Sequence, residues 1–149
     1  MPIIYRKNTN DAYLIDTDVI LDFMLARQPF HLEADEIFVT LQNREFDGYI
    51  LAITPVNVFY IARKIKDKTI AFSLVGKLLS LLRIARCDAA ILKYALYLGF
   101  SDYEDAVQCS AAMAENLDGI VTRDTKDFNN SPVKVFTPGE FLESLEAEG

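Results

Sequence analysis

The chain has 149 residues, 51% of them hydrophobic, with one histidine, no tryptophan and a formal charge of −7. That size and apolar share fit one globular domain over 1–149 with a full core, and no apolar run is long enough to cross a bilayer. Net acidity speaks against a general polyanion binder, although carboxylates gathered around a cation also count as negative.

The opening MPIIYRKNTND lacks the apolar stretch of a secretion signal. AYLID then reads as a short buried strand, and VILDFMLA repeats its apolar residues at helical spacing. LEADEIFVTLQNREF is an amphipathic helix closed by a turn at Asp47–Gly48, with His31 beside Phe30 in a surface or capping role. YILAI is a second strand. TPVNVFYIARKIK begins a helix with Thr54 as N-cap and Pro55 at the first helical position.

TIAFSLVGKLLSLL is a further helix, apolar on more faces than one core contact needs, and predicts a homodimer or a groove for a protein partner. RIARC holds a short strand, and DAAILKYALYLG a helix with Gly99 as its C-cap. SDYEDAVQCSAAMAENL is a helix in which Ser101 and Glu104 form a capping box, so that it starts at Asp102. GIVTR and VKVF are the last strands, and PGEFLESLEAE a closing helix. Strands alternating with helices predict an α/β fold with a mostly parallel sheet covered on both faces. Cys87 and Cys109 form no CxxC pattern, so the expectation is two buried thiols in a reducing, cytoplasmic compartment.

In an open parallel sheet the carboxyl ends of the strands share one edge, where ligands bind. Asp16 ends the first strand and Asp124 the strand GIVTR, so both are expected at one crevice. Asp105 heads a helical stripe of Cys109, Ala112 and Met113 and points inward. Asp102 reads as a first-turn acid complementing the helix dipole. Asp16, Thr17 and Asp18 are three candidate caps for one helix, which leaves at least one carboxylate spare. Asp22 either lines the same opening or faces solvent, and Asp127 braces its loop. Converging carboxylates repel one another unless a cation lies between them, and an oxygen-only set suits Mg²⁺ or Mn²⁺. Such ions activate water against a phosphodiester. The oxygens of Asp16, Asp105 and Asp124 are then expected within about 4–8 Å of one another.

YLIDTDVILDFMLARQPF and SDYEDAVQCSAAMAENLDGIVTRDTKDF together resemble the PIN domain, the nuclease fold of VapC-type toxins, from about Tyr13 to about Glu143. The resemblance implies a three-layer α/β/α fold and metal-dependent endoribonuclease activity. Asp105 and Asp124 match the family's helix acid and strand-end acid, and with Asp16 they are the catalytic candidates. The metal set adds Asp18 and Asn57. At Asn57 the family usually has a glutamate, so this sequence brings an amide where a charge is customary, and Asp18 stands where the family often has Asn. Arg123 and Lys126 flank Asp124 as candidates for RNA phosphate contacts. Arg27 matches a frequent family arginine and braces the loop between helices. Arg63, Lys64, Lys66 and Lys68 complement the end of their helix.

The leading expectation is therefore a Mg²⁺- or Mn²⁺-dependent ribonuclease, the toxin partner of a small antitoxin protein. The alternative is a catalytically weakened PIN module that binds RNA or a protein. A third class, phosphotransfer on a strand-end aspartate, rests on the distant likeness of DTDVI to a DxD motif. It lacks a later lysine motif in the matching sheet context.

Overall fold

The computed structural model describes residues 11–148. β1 (Ala12–Ile15) is the central strand of a five-stranded sheet, and its side chains alternate between two separate cores. Tyr13 and Ile15 join one core, Ala12 and Leu14 the other. This period of two is what a strand covered on both faces requires, and it explains why all four residues are buried. β4 (Gly119–Val121) divides in the same way, with Val121 on the side of Tyr13 and Ile120 on the side of Leu14.

The remaining strands are β2 (Asp47–Ile50), β3 (Arg83–Ile84) and β5 (Val135–Phe136), in the spatial order β3-β2-β1-β4-β5. Every pairing is parallel, so the fold is α/β as expected, with helices as the crossovers. One layer holds α1 (Thr17–Met24), α2 (His31–Gln42), α3 (Ile53–Ile65), α4 (Lys68–Leu81) and α7 (Pro138–Glu148). The other holds α5 (Ala89–Ala95) and α6 (Tyr103–Ala114). Tyr13 meets Phe141 edge-on at 4.8 Å between ring centres and Phe46 at 6.1 Å, tying the closing helix to the central strand.

Three local expectations are corrected. Asp47–Gly48 is not a turn but the start of β2, where Gly48 pairs with Tyr13. A Cβ on Gly48 would lie 2.6 Å from Leu82 Cδ2 and 3.0 Å from Leu41 Cδ1, so glycine serves close packing there. The reversal after α2 instead passes through Arg44 at φ 59°. Thr54 is not an N-cap, because α3 begins at Ile53 and the buried Thr54 hydroxyl lies 3.0 Å from that of Thr17. Gly99 takes φ 78°, but in the turn beyond α5 rather than directly at its end.

Of the two thiols only Cys109 is buried; Cys87 is exposed in the loop after β3. α4 buries Ala71 and Leu78 and leaves Phe72, Ile70 and Leu79 exposed, so part of its apolar surface lies outside the core. Among the described residues no helix is long and apolar enough to cross a membrane. The MPIIYRKNTN segment read for a secretion signal lies outside the described residues.

Candidate metal centre

The carboxyl ends of β1 and β4 lie side by side, and the Asp16 N–H extends their ladder by donating to the Val121 carbonyl at 2.9 Å. Asp16 holds the N-cap position of α1 yet makes no side-chain cap. Its Oδ1 instead accepts from Gln108 Nε2 at 2.9 Å and its Oδ2 from the Thr122 hydroxyl at 2.7 Å. The carboxylate is thus held by a helix on one face of the sheet and by the neighbouring strand end. Thr122 also accepts from the Asp124 N–H at 3.1 Å, so one hydroxyl links the two strand-end aspartates.

Asp16, Asp18 and Asp124 each offer an oxygen within 4.8 Å of the others. They range from buried Asp16 through half-buried Asp18 to exposed Asp124, which grades the site from protein to solvent. Around them opens a cavity of about 400 Å³ that Asn57, Asp102, Glu104, Asp105 and Asp127 also line. Asp105 stands in the wall of this cavity and is not one of the three that converge most tightly; Asp18, from the first turn of α1, takes that place.

The electrostatics follow from this crowding. Burial raises the Asp16 carboxyl above the ordinary range, against the lowering effect of its hydrogen bonds from Gln108 and Thr122. Burial, then the neighbouring Asp102 and Asp16, push Asp105 up to about 7. Glu104 is raised by burial and by Asp16 in the same way. Three groups of one cavity therefore resist ionisation, a state that a bound cation relieves. The donors are all oxygen and none is a histidine or thiol, which fits a hard divalent ion.

The α6 capping box is also corrected. The N-cap is Asp102, whose carboxylate accepts from the Asp105 N–H at 3.0 Å, and the helix starts at Tyr103. With the cap provided by Asp102, Glu104 is released toward the cavity. Glu104, Asp105 and Gln108 fall on one face of α6, separated by the three and four residues that align helical side chains. Gln108 was not singled out in the sequence and Glu104 only as a capping-box partner, although Gln108 follows Asp105 by three residues and Glu104 by four, the spacing that carries that signal.

Asp22 neither lines the opening nor faces solvent. Its carboxylate is 2% exposed and accepts from Arg27 Nε at 2.9 Å and Arg123 Nε at 2.7 Å. Arg27 also reaches Asp18, through its carbonyl at 3.2 Å and Oδ1 at 3.3 Å, and so braces α1 against the following loop. Arg123, expected at phosphate, commits Nε and Nη2 to Asp22 and lies over the Phe30 ring at 3.8 Å. A buried carboxylate draws the nearest guanidinium groups because an unpaired charge there is costly. Lys126 is exposed in the turn after Asp124. Asp127, beyond bracing its loop through an N–H to the Asp124 carbonyl, also lines the cavity.

A parallel α/β sheet with carboxylates clustered beyond the strand ends defines an α/β protein with an acidic, cation-attracting site. A family model described as a PIN domain matches residues 12–126, and the chain belongs to that family. No curated protein matches the sequence. Among solved structures, a toxin–antitoxin complex from Klebsiella pneumoniae is 26% identical, with a TM-score of 0.66 over 85% of this chain and 97% of that one. FitAcB from Neisseria gonorrhoeae is 24% identical, with a TM-score of 0.64 over 85% and 98%. A sarcin–ricin loop cleaving VapC toxin from Mycobacterium tuberculosis shares the fold at 10% identity, with a TM-score of 0.59 over 72% and 86%.

Proposed function

We propose that the protein is a divalent-metal-dependent endoribonuclease that acts as the toxin of a toxin–antitoxin pair. The observation that carries this reading is the convergence of Asp16, Asp18 and Asp124 within 4.8 Å at the carboxyl edge of the sheet. Membership of the PIN family and the likeness to the Klebsiella toxin–antitoxin complex support it. The Mycobacterium toxin, named for cleaving the sarcin–ricin loop, is the analogy for an RNA substrate.

Asp16, Asp18 and Asp124 are the residues that would hold Mg²⁺ or Mn²⁺. When bound, such an ion supplies charge neutralisation at the scissile phosphate and an activated water. Gln108 and Thr122 orient the Asp16 carboxylate, and Arg27 restrains Asp18. Asp105 adds a carboxyl to the cavity wall, and Asn57 an amide at the rim. Lys126 is the candidate for phosphate contact, since Arg123 is engaged with Asp22. The exposed apolar side chains of α4 are the candidate surface for an antitoxin or for a second copy of the chain.

The test is an RNA cleavage assay with purified protein, with and without Mn²⁺. Cleavage is expected only with metal, and it should be lost in Asp16→Asn and Asp105→Asn. Activity that survives Asp16→Asn or persists in chelator would overturn the assignment. The second reading, a PIN module with weakened catalysis, rests on uncharged Asn57 at the cavity rim. It predicts RNA or protein binding without cleavage and no measurable Mn²⁺ uptake.

A further inference from the structure

A second cavity, of about 570 Å³, adjoins the acidic one and shares Asn57 and Glu104 as walls. Its other walls are mostly apolar: Leu51 just after β2, Ile53 from the start of α3, Leu92 from α5, and Tyr103 and Val107 from α6. Tyr103 is half exposed, yet its hydroxyl donates to the Leu92 carbonyl at 2.8 Å, which ties the side chain across the α5–α6 junction. An aromatic residue anchored at its tip, set among aliphatic side chains beside a polar rim, is a pre-organised surface rather than a mobile one.

We propose that this cavity seats an unstacked nucleobase of the RNA strand, next to the phosphate held at the acidic site. The substrate class rests on the nuclease reading; the occupant is argued from charge and shape. The chain carries −7 overall and Arg123 is engaged with Asp22, so phosphate contacts alone supply little affinity. A base is the uncharged, flat part of a nucleotide, and an apolar cavity bordered by Glu104 repels it least. The volume lies in the range of small-molecule sites, and the amide of Asn57 and carboxylate of Glu104 suit hydrogen bonds to a base edge. Base–aromatic stacking on Tyr103 supplies attraction that does not depend on salt.

The experiment is a methyl NMR titration of the full chain in chelator with adenosine, guanosine, cytidine and uridine, and with ribose as control. Nucleosides carry no phosphate, so the neighbouring carboxylates do not repel them and no metal is needed. Saturable shifts of the Leu51, Ile53, Leu92 and Val107 methyls are expected with at least one nucleoside and not with ribose. Tyr103→Ala should weaken that binding about tenfold or more, as loss of one stacking partner implies. Tyr103→Phe, which keeps the ring, should retain it. Leu92→Ser, expected to weaken binding several-fold, keeps the proposal open to refutation should Tyr103→Ala fail to fold.

The proposal is overturned if no nucleoside moves these methyls, or if folded Tyr103→Ala binds as the native chain does. Shifts that follow protein concentration alone would place a second copy on this face and overturn it equally. Nucleoside binding in a protein that cuts no RNA supports the cavity and removes the nuclease reading. Metal-dependent cleavage without nucleoside binding does the reverse.

Discussion

Gln108 donates from Nε2 to Asp16 Oδ1 at 2.9 Å, while its own Oε1 is buried with no partner among the described residues. Leaving a buried acceptor unpaired costs stability, so the contribution of this side chain lies in what its amide N–H does to Asp16. Gln108→Leu should remove that donor and raise the Asp16 carboxyl further, since hydrogen bonds to the charged form lower a pKa. The acidic limb of Mn²⁺-dependent RNA cleavage is then expected to move to higher pH. Stability in urea should change by less than about 1 kcal/mol, because the orphaned oxygen leaves with the side chain. A pH–rate profile that does not move would reduce Gln108 to packing.

Asp105, pushed up to about 7 by burial and by Asp102 and Asp16, makes stability depend on pH. Its folded pKa lies above its unfolded value, so the native state binds the extra proton and loses stability as pH rises from about 4 to about 7. The metal-free protein should therefore melt at lower temperature at pH 8 than at pH 5.5. Asp105→Asn should flatten that difference by roughly 2–4 °C, allowing for solvent screening of a partly exposed group. Adding Mn²⁺ at pH 8 should restore the native chain more than the variant. Thermal melts in chelator across this range decide the matter.

Asp22 is clamped between Arg27 and Arg123, at 2.9 and 2.7 Å. Asp22→Ala leaves two guanidinium groups without their buried partner and should destabilise the protein by about 3 kcal/mol, as breaking such pairs does. Because Arg27 also holds Asp18, Mn²⁺ affinity should fall in the same variant. Urea denaturation and calorimetry read the two effects separately. A loss of stability with unchanged metal affinity would detach this network from the site.

Asn57 borders the acidic cavity without contributing charge. Asn57→Glu should tighten Mn²⁺ binding by about tenfold, since ligand charge tunes the affinity of hard-cation sites. It should raise any RNA cleavage with it, whereas Asp16→Asn should abolish both. Calorimetric titration measures the first directly. No heat from either the native chain or Asn57→Glu would favour the non-catalytic reading.

Patterns local in the chain carried much of this molecule. The alternation of strand and helix, and the placement of Asp16 and Asp124 near strand ends, follow from apolar periodicity together with the rule that parallel strands end on one edge. Tertiary structure decided what each acid does there. Asp102, Glu104 and Asp105 lie within four residues and all line the cavity, and only the cap geometry of α6 singles out Asp102 as the helix N-cap as well. Asp22 was left between the opening and solvent because its partner Arg123 lies 101 residues away, and no local pattern encodes a contact that exists only once β1 and β4 lie together. Thr54 and Gly48 were misread for the same reason: the Thr17 hydroxyl and the Leu82 side chain that explain them arrive from elsewhere in the fold. Side-chain chemistry and spacing thus determined which groups were available, and packing across the sheet decided which of them meet.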